Sequence, residues 1–292
     1  MNITTPSYAD VQAHYDLSDD FFALFLDESR TYSCAYFESD SYTLEQAQAA
    51  KIDLALGKLD LRPGMKLLDI GCGWGSLMAR AQDHFSVDVI GLTLSRNQHE
   101  YVATQLARRA ETGGEVRLQG WEEFEGRADR IVSIGAFEHF RQERYEAFFE
   151  FAYNILPTSG RMLLHTIVVS GRDKLHERGD RLSRDDLAFM RFIRDVIFPG
   201  GQLPLATGSG PLRGVREYAE NGGFTVERMH SLQQHYAKTL DEWANRLADN
   251  RVRAVELCGE DIYDTYMRYL TGCANGFRRG IFDVMQFTCV KN

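Results

Sequence analysis

The sequence lacks the features that mark several large classes of protein. It has six prolines among 292 residues and no low-complexity tract, which argues against a disordered chain. Its five cysteines contain no CxxC pair, so neither a zinc site nor a disulfide framework is indicated. Basic residues are outnumbered, with 33 Lys and Arg against 42 Asp and Glu and a net charge of −9. This balance disfavours non-specific nucleic-acid binding.

Long apolar stretches are missing as well. No uninterrupted apolar run approaches the roughly 18 residues of a membrane span. Residues 1–10 carry neither the basic nor the apolar region of a secretory signal. We therefore expect a soluble protein of the cytoplasm. Aromatic residues, which make up 12% of the chain, fit either a well-filled core or an apolar substrate tunnel.

Short apolar runs alternate with stretches of helical periodicity along most of the chain. Such alternation predicts βαβ units and a mainly parallel sheet. The seven runs lie at residues 65–70, 87–93, 116–119, 130–134, 161–168, 224–226 and 284–288. We expect a single α/β domain over 1–292, built on a doubly wound, seven-stranded sheet with an antiparallel edge strand.

Two regions interrupt the alternation. Residues 1–60 are predicted to be helical, over 11–26 and 43–59, and to form a lid, with Thr43 and Gln46 as a capping box. Residues 170–211 form an insertion that is first charged, then apolar and helical over 187–198, and then rich in glycine and proline. The remaining segments, 61–169 and 212–292, would form the core, with helices at 238–280 before the last strand.

The most informative string is LLDIGCGWG, at residues 67–75. Its glycines allow a tight turn and close approach of the backbone to a ligand at a helix N-terminus. A dinucleotide loop would read G-x-G-x-x-G, with an acid about 20 residues later. Here the spacing is G-x-G-x-G, Asp69 precedes it, and residues 91–98 offer no acid at the tip of the second strand. The string resembles the S-adenosylmethionine loop of class I methyltransferases, although a ligand-free turn remains the simpler alternative.

Nine further strings carry a more specific resemblance. They lie at residues 11–22, 31–37, 91–98, 120–122, 133–140, 163–166, 197–204, 235–240 and 269–273. In this order they resemble the cyclopropane-fatty-acid synthases, and most closely the mycobacterial mycolic acid methyltransferases and cyclopropane synthases, nearly from end to end. The resemblance implies a class I S-adenosylmethionine-dependent methyltransferase fold.

The same resemblance implies transfer of a methyl or methylene group to the double bond of a long unsaturated acyl chain, forming a cyclopropane ring through a carbocation. Formation of a methyl branch on that chain is one alternative. An O- or N-methyltransferase of a small metabolite, which needs no long tunnel, is another. A lipid carrier without enzymatic activity is the third.

Individual roles follow from the resemblance. Around the reacting centre it implies Cys34, Glu138, His165 and Tyr236, with a bicarbonate ion as the base; Cys273 matches a cysteine suggested as catalytic in the wider family. No metal is expected. The implied cofactor-binding residues are Tyr32, Ser33, Gly71, Cys72, Gly73, Thr93, Leu94, Ser95, Arg96, Asn97, Gln98, Trp121 and Glu122, of which the last two would face the adenine.

These residues also have ordinary structural explanations. Glu138 would cap a helix, His165 would be a satisfied core histidine, and Cys34 would be a small buried hydrophobe. A carbocation, however, needs a dry site with aromatic walls, since ring faces stabilise cations. The candidates for those walls are Tyr15, Phe137 and Tyr236.

Two further expectations concern the substrate and the product. Delivery of the acyl chain on an acyl carrier protein would need a basic patch on the enzyme. A solvated helical face is the alternative explanation for the basic residues of the insertion. Peripheral contact with a membrane is a further alternative. The candidates are Arg172, Lys174, Arg178, Arg181, Arg184, Arg191 and Arg194. Relatives that make hydroxylated products carry Glu where this chain has Gly135 and lack the histidine found here at 165, so no hydroxyl is expected. Ser7 stands where several relatives carry histidine.

Overall fold

The computed structural model describes residues 19–109, 113–170, 181–199, 201–208 and 212–292. These residues form a seven-stranded sheet in the order β3-β2-β1-β4-β5-β7-β6. The strands are β1 (Lys66–Ile70), β2 (Asp88–Thr93), β3 (Gly114–Leu118), β4 (Arg130–Ile134), β5 (Arg161–Val169), β6 (Phe224–Ser231) and β7 (Phe282–Lys291). The predicted runs are thus confirmed as strands, although β6 continues five residues and β7 three residues beyond the end of the predicted run.

The parallel part of the sheet creates the position for a site. β1 pairs in parallel with both β2 and β4, so the chain winds outward in both directions from the β1–β4 boundary. Ligands of open α/β sheets bind at such a switch point, beyond the carboxyl ends of the strands. The turns that follow β1 and β4 therefore meet at one edge of the sheet.

The predicted position of the antiparallel strand is wrong. β7 is antiparallel to both of its neighbours, β5 and β6, and so lies inside the sheet, while β6 forms the edge. Burial explains the order, because Val284 and the run from Gln286 to Cys289 are buried in β7, whereas β6 is exposed or half-buried along all but its first residue. The alternation of apolar runs and helical stretches in the sequence indicates which segments form strands, but it does not indicate the order of those strands across the sheet.

Helices cover the sheet and build a layer beyond its carboxyl edge. The predicted capping box begins α2, where the Thr43 side chain accepts from the Gln46 backbone N–H and the Gln46 side chain accepts from that of Thr43. The helices are α1 (Asp19–Ala23), α2 (Leu44–Leu56), α3 (Ser76–Phe85), α4 (Arg96–Ala107), α5 (Tyr145–Ile155), α6 (Arg184–Phe192), α7 (Val215–Asn221), α8 (Gln233–Asp249), α9 (Arg251–Cys258) and α10 (Glu260–Arg278).

The N-terminal segment packs against the C-terminal helices. The ring of Phe21 in α1 lies 4.9 Å from that of Tyr266 in α10, and the ring of Phe25 lies 6.2 Å from that of Trp243 in α8. The predicted lid and the end of the chain therefore share one apolar cluster. Among the described residues, no helix is both long and apolar enough to cross a membrane.

Candidate active site

The turn between β1 and α3 has the backbone that its glycines predict. Gly71, Gly73 and Gly75 have φ values of 84°, 56° and 81°, in the left-handed region that glycine adopts most easily. A Cβ at Gly71 would lie 2.5 Å from that of Ala136, so the turn packs directly against the segment after β4. A Cβ at Gly73 would meet nothing within 4 Å, which leaves open space above the turn.

A cavity, here called the first cavity, occupies that space at the carboxyl edge of the sheet. Most of the predicted cofactor residues line it, namely Tyr32, Ser33, Gly71, Cys72, Gly73, Thr93, Leu94, Gln98, Trp121 and Glu122. Thr93 Oγ1 donates to Gln98 Oε1 at 2.7 Å, which orders the tip of β2. The indole Nε1 of Trp121 is buried without a partner among the described residues. The open space and this unsatisfied donor fit a bound nucleoside.

Three predicted cofactor residues do not line this cavity. Ser95 is the N-cap of α4, and its Oγ accepts from the backbone N–H of Gln98 at 3.3 Å. Arg96 and Asn97 begin that helix and are exposed. The expectation that they contact the cofactor is therefore corrected: the helix turns these two side chains toward solvent, while that of Gln98 faces the cavity.

Two charged residues that line the first cavity, Arg144 and Lys51, were not predicted. Glu122 forms an ion pair with Arg144, with only 5% and 10% of the two side chains exposed, and the Arg144 guanidinium lies 5.4 Å from the centre of the Trp121 ring. Lys51 of α2 is also buried, and its Nζ donates to Ser33 Oγ at 2.8 Å. Burial lowers the pKa of Lys51 to about 8 and raises that of Asp69 to about 7. A lysine in a helical stretch is usually exposed, so the sequence offered no signal for Lys51.

Hydrogen bonds hold the segment after α1 over the first cavity and over a second cavity that adjoins it. Gln48 of α2 donates through Nε2 to the carbonyls of Thr31 and Ser33, at 3.2 and 2.9 Å. On the other side, the backbone N–H of Ala35 donates to Thr239 Oγ1 of α8 at 3.0 Å. The segment that carries Tyr32 and Cys34 is thereby tied to α2 and to α8.

A second cavity of about 640 Å³ adjoins the first one. Four residues line both of them, namely Tyr32, Ser33, Gly135 and His139. The walls of the second cavity include the apolar and aromatic side chains Ile167, Val169, Met190, Ile193, Phe198, Leu203, Tyr269, Phe282 and Val284. Its size and lining are typical of a site for an apolar ligand.

Four of the five predicted catalytic residues line the second cavity: Cys34, Glu138, His165 and Tyr236. Glu138 Oε1 accepts from the backbone N–H of Ile167 at 2.6 Å, while its Oε2 is buried with no partner among the described residues. Burial raises the pKa of Glu138 to about 7, although its backbone hydrogen bonds act in the opposite direction. The carboxyl group therefore keeps its proton to a higher pH than an exposed glutamate does.

His165 lies in β5 and is 1% exposed. Its Nδ1 is 3.2 Å from Gln286 Nε2, and its Nε2 has no partner in the described part of the chain. Burial, together with the positive charges of Lys51 and Lys58, holds the pKa of His165 well below its usual range. The imidazole is thus neutral, with one unsatisfied nitrogen.

The thiol and phenol groups of this site are also uncharged. Burial raises the pKa of Cys34 and of Tyr236. Cys34 Sγ lies 3.1 Å from its acceptor, the carbonyl of Ala35, as a neutral thiol does. The ring of Tyr236 lies 4.7 Å from that of Phe277, which holds it against α10. Neither group is an ionised nucleophile.

Two predicted residues do not line the second cavity. Phe137 stacks on Tyr145, with ring centroids 4.1 Å apart, in the core between the sheet and α5, so the prediction that it faces a cation there is wrong. The cause is local: residues 137–139 form one 3₁₀ turn, in which successive side chains diverge by about 120°. Cys273 is not among the lining residues, and burial raises its pKa. Tyr15 and Ser7 lie outside the described residues.

The predicted basic patch is described only in part. Arg191 and Arg194 line the second cavity, on α6 and on the π-helical turn Ile193–Ile197 that follows it. Arg194 is paired with Asp195 at 2.7 Å. Arg172, Lys174 and Arg178 lie outside the described residues. Within the described ranges, no group of three or more His, Cys, Asp or Glu side chains is arranged to hold a metal ion.

The strand order, the glycine turn after β1 and the cavity above it define the class of protein. They are the features of the class I S-adenosylmethionine-dependent methyltransferase fold. The predicted fold class is therefore confirmed.

Comparisons with known proteins give the family. The family model described as mycolic acid cyclopropane synthetase matches residues 3–287. Cyclopropane mycolic acid synthase 1 of Mycobacterium tuberculosis is 57% identical over 288 residues, which are 98% of each chain. The structure of the cyclopropane synthase MmaA2 from Mycobacterium tuberculosis matches with a TM-score of 0.95 and 52% identity, covering 98% of this chain and 99% of that one. The chain therefore belongs to the mycolic acid cyclopropane synthetase family.

A second solved relative has two molecules bound. Mycolic acid cyclopropane synthase CmaA1, complexed with SAH and CTAB, matches with a TM-score of 0.92 and 55% identity, over 98% of this chain and 99% of that one. The predicted family, the enzyme class and the S-adenosylmethionine cosubstrate are confirmed. The small-metabolite methyltransferase and the non-enzymatic lipid carrier are set aside.

Proposed function

We propose that this enzyme transfers the methyl carbon of S-adenosylmethionine to a double bond in a long acyl chain of the mycolic acid type and closes a cyclopropane ring. One observation carries the proposal: the first cavity, built on the glycine turn, shares the lining residues Gly135 and Ser33 with an apolar cavity of about 640 Å³. A sulfonium methyl group in the first cavity would face an alkene in the second. An isolated alkene is a poor nucleophile, so this alignment supplies much of the rate.

The reaction balances without an oxidant or a reductant. The π electrons of the alkene form a bond to the methyl carbon, the carbon–sulfur bond breaks, and its electron pair stays on sulfur. One alkene carbon is then a cation. A base removes a proton from the new methyl group, and the electrons of that C–H bond close the ring. The products are the cyclopropane, S-adenosylhomocysteine and one proton.

The base is proposed to be a bicarbonate ion held by the polar residues of the second cavity. Two buried atoms there, Glu138 Oε2 and His165 Nε2, have no partner among the described residues. The side chain of Tyr236 lines the same cavity. In its protonated form Glu138 donates a hydrogen bond to an anion, as do the phenol and the imidazole N–H. When bound, bicarbonate supplies a base in a cavity where Cys34 and Tyr236 are held neutral.

The remaining residues are proposed to protect the cation. Tyr236 and Tyr269 present aromatic rings to the second cavity, and Tyr32 OH donates to Tyr269 OH at 3.4 Å. A ring face stabilises a cation by roughly 0.5–2 kcal/mol, which corresponds to about two- to thirty-fold in rate. The apolar walls exclude water, which would otherwise capture the cation.

Gly135 supports a product without a hydroxyl group. It lies where the two cavities meet, with a φ of 71°, and a Cβ there would be 3.9 Å from Ser33 Cβ. A longer acidic side chain at this position would reach the cation and would orient a water molecule onto it. With glycine there, the cation loses a proton and gives the ring; a methyl-branched alkene is the second candidate.

The acyl chain is proposed to arrive on an acyl carrier protein, in the cytoplasm. Arg191 and Arg194 line the second cavity from the insertion, where an acidic carrier would dock. Their guanidinium groups also suit the head groups of an anionic membrane surface, which is the alternative source of the chain.

The test is mass spectrometry of the acyl product. Purified enzyme with S-adenosylmethionine and a monounsaturated long-chain acyl carrier protein is expected to add the mass of one methylene. The saturated acyl carrier protein is the control and is expected to remain unchanged. A product that has gained a methylene plus a water would contradict the proposed outcome, and an unchanged unsaturated chain would contradict the proposed substrate.

A further inference from the structure

A row of polar side chains crosses the sheet behind the second cavity. His165 of β5 pairs directly with Gln286 of β7, and Gln286 pairs directly with His230 of β6. Directly opposite residues of antiparallel strands point to the same face, so the three side chains are neighbours. Gln286 is completely buried in β7, between the mainly apolar side chains of that strand. A buried amide in such a place needs partners for both of its ends.

Lys58, which follows α2, defines the orientation of this row. Its Nζ lies 2.5 Å from Gln286 Oε1 and 3.0 Å from His230 Nδ1. An ammonium group only donates hydrogen bonds, so the oxygen of the Gln286 amide must face Lys58. The amide nitrogen then faces His165 Nδ1, at 3.2 Å, and donates to it.

The consequence reaches the cavity. A neutral imidazole carries one N–H, and the hydrogen bond made by one nitrogen decides which nitrogen that is. Since Nδ1 of His165 accepts from Gln286, the proton is on Nε2. That atom is the one left without a partner among the described residues, in a side chain that lines the second cavity.

We propose that Lys58 and Gln286 are positioning residues that fix the tautomer of His165, so that the imidazole presents an N–H donor to the second cavity. The use of that donor rests on the proposed function, in which the cavity holds an anionic base. A neutral donor binds such an anion without transferring a proton to it. The opposite tautomer would present a lone pair and repel it.

The tautomer is measured directly by ¹⁵N NMR of protein labelled at histidine, because protonated and unprotonated ring nitrogens resonate far apart. The signals of His165 are assigned by their loss in His165→Asn. The wild-type protein is expected to show a protonated Nε2 and an unprotonated Nδ1. In Gln286→Glu the carboxylate still accepts from Lys58 but cannot donate to the ring, so the proton is expected to move to Nδ1.

Three further variants complete the design. Lys58→Met releases the amide, and a mixture of tautomers is expected; Lys58→Arg keeps a donor, and the wild-type tautomer is expected. Gln82→Glu is the matched control, because Gln82 is also a buried amide, donating to the Gly113 carbonyl at 2.8 Å, but lies away from both cavities. It is expected to leave His165 unchanged. Turnover by Gln286→Glu is expected to fall by about 10- to 100-fold, as when partners that orient metal-bound histidines are removed.

The outcomes separate this proposal from the proposed function. A wild-type His165 protonated at Nδ1, or an unchanged tautomer in Gln286→Glu, would overturn it. If Gln286→Glu does not fold, Lys58→Met decides, and retention of a single Nε2–H tautomer there would also overturn it. If the tautomer inverts in Gln286→Glu but the wild-type protein makes no cyclopropane, the positioning role stands and the proposed reaction is contradicted instead.

Discussion

Replacing Glu138 with glutamine should make the protein more stable and less active at the same time. The amide of Glu138→Gln keeps the shape of the carboxyl group, and its oxygen still accepts from the backbone N–H of Ile167, which the carboxylate does at 2.6 Å. What the variant loses is the ionisable group. The free energy of unfolding should therefore differ between the two proteins only at pH values at which the carboxyl group of the folded wild-type protein is costly to ionise.

The pKa of Glu138 determines the size and pH window of this effect. Burial raises that pKa from 4.5 to about 7, so between these two pH values the folded protein keeps a proton that the unfolded chain has released. The wild-type free energy of unfolding consequently falls as the pH rises through this window. At about 1.36 kcal/mol per pH unit, the loss reaches about 3 kcal/mol above pH 7. With an unfolding entropy of roughly 0.6 kcal/mol/K for this length, that is a Tm difference of about 5 °C.

The assay is thermal unfolding of both proteins between pH 4.5 and 8. The Tm values are expected to agree near pH 4.5 and to separate by about 5 °C at pH 8, with Glu138→Gln the more stable. Glu143→Gln, a change at an exposed glutamate nearby, is the control and should show no such divergence. Turnover should fall at least tenfold with little change in cofactor affinity, as expected for an interaction made mainly in the transition state. A pH-independent Tm difference would refute the reasoning from burial, and near-wild-type turnover would refute the catalytic role.

Four other substitutions test the remaining parts of the site. Gly73→Val should abolish micromolar binding of S-adenosylmethionine in calorimetry, because its side chain enters the open space above the turn at a φ of 56°; unchanged affinity would remove the cofactor from this cavity. Gly135→Glu should divert product toward a methylene-plus-water mass, and an unaltered mass spectrum would show the argument from Gly135 to be wrong. Cys273→Ser should keep turnover within about threefold, since the thiol does not line the second cavity; a hundredfold loss would restore its catalytic role. Arg191→Glu should raise the KM for acyl carrier protein about tenfold and leave kcat unchanged, whereas an unchanged KM would exclude docking there.

The lining of the first cavity was largely predictable because its determinants are local. Gly71, Gly73 and Gly75 have positive φ values within a single turn, and the flanking apolar run and helical pattern place that turn after a parallel strand. The placement of Glu138 and His165 beside the second cavity was predictable for a related reason. The resemblance singled them out, and residues at or near the carboxyl ends of neighbouring parallel strands converge on one edge.

Prediction failed where one element had to be oriented against another. Phe137 and Glu138 are adjacent, yet the first packs against α5 and the second faces the second cavity. Arg96 and Asn97 share a string with Gln98, but the start of α4 turns them into solvent. The identity of a side chain and its place in a motif do not specify the direction in which a short turn points it.

The sequence by itself determined the strands, the glycine turn and the family, because apolar periodicity, positive-φ positions and ordered motifs are written into consecutive residues. Only the tertiary structure decided that β7 lies inside the sheet, that Lys51 is buried under Ser33, and that Gln286 joins Lys58 to His165. Each of these depends on residues far apart in the chain. Their pairing is settled by which surfaces bury each other and which buried polar atoms find partners, and neither can be read from neighbours in sequence.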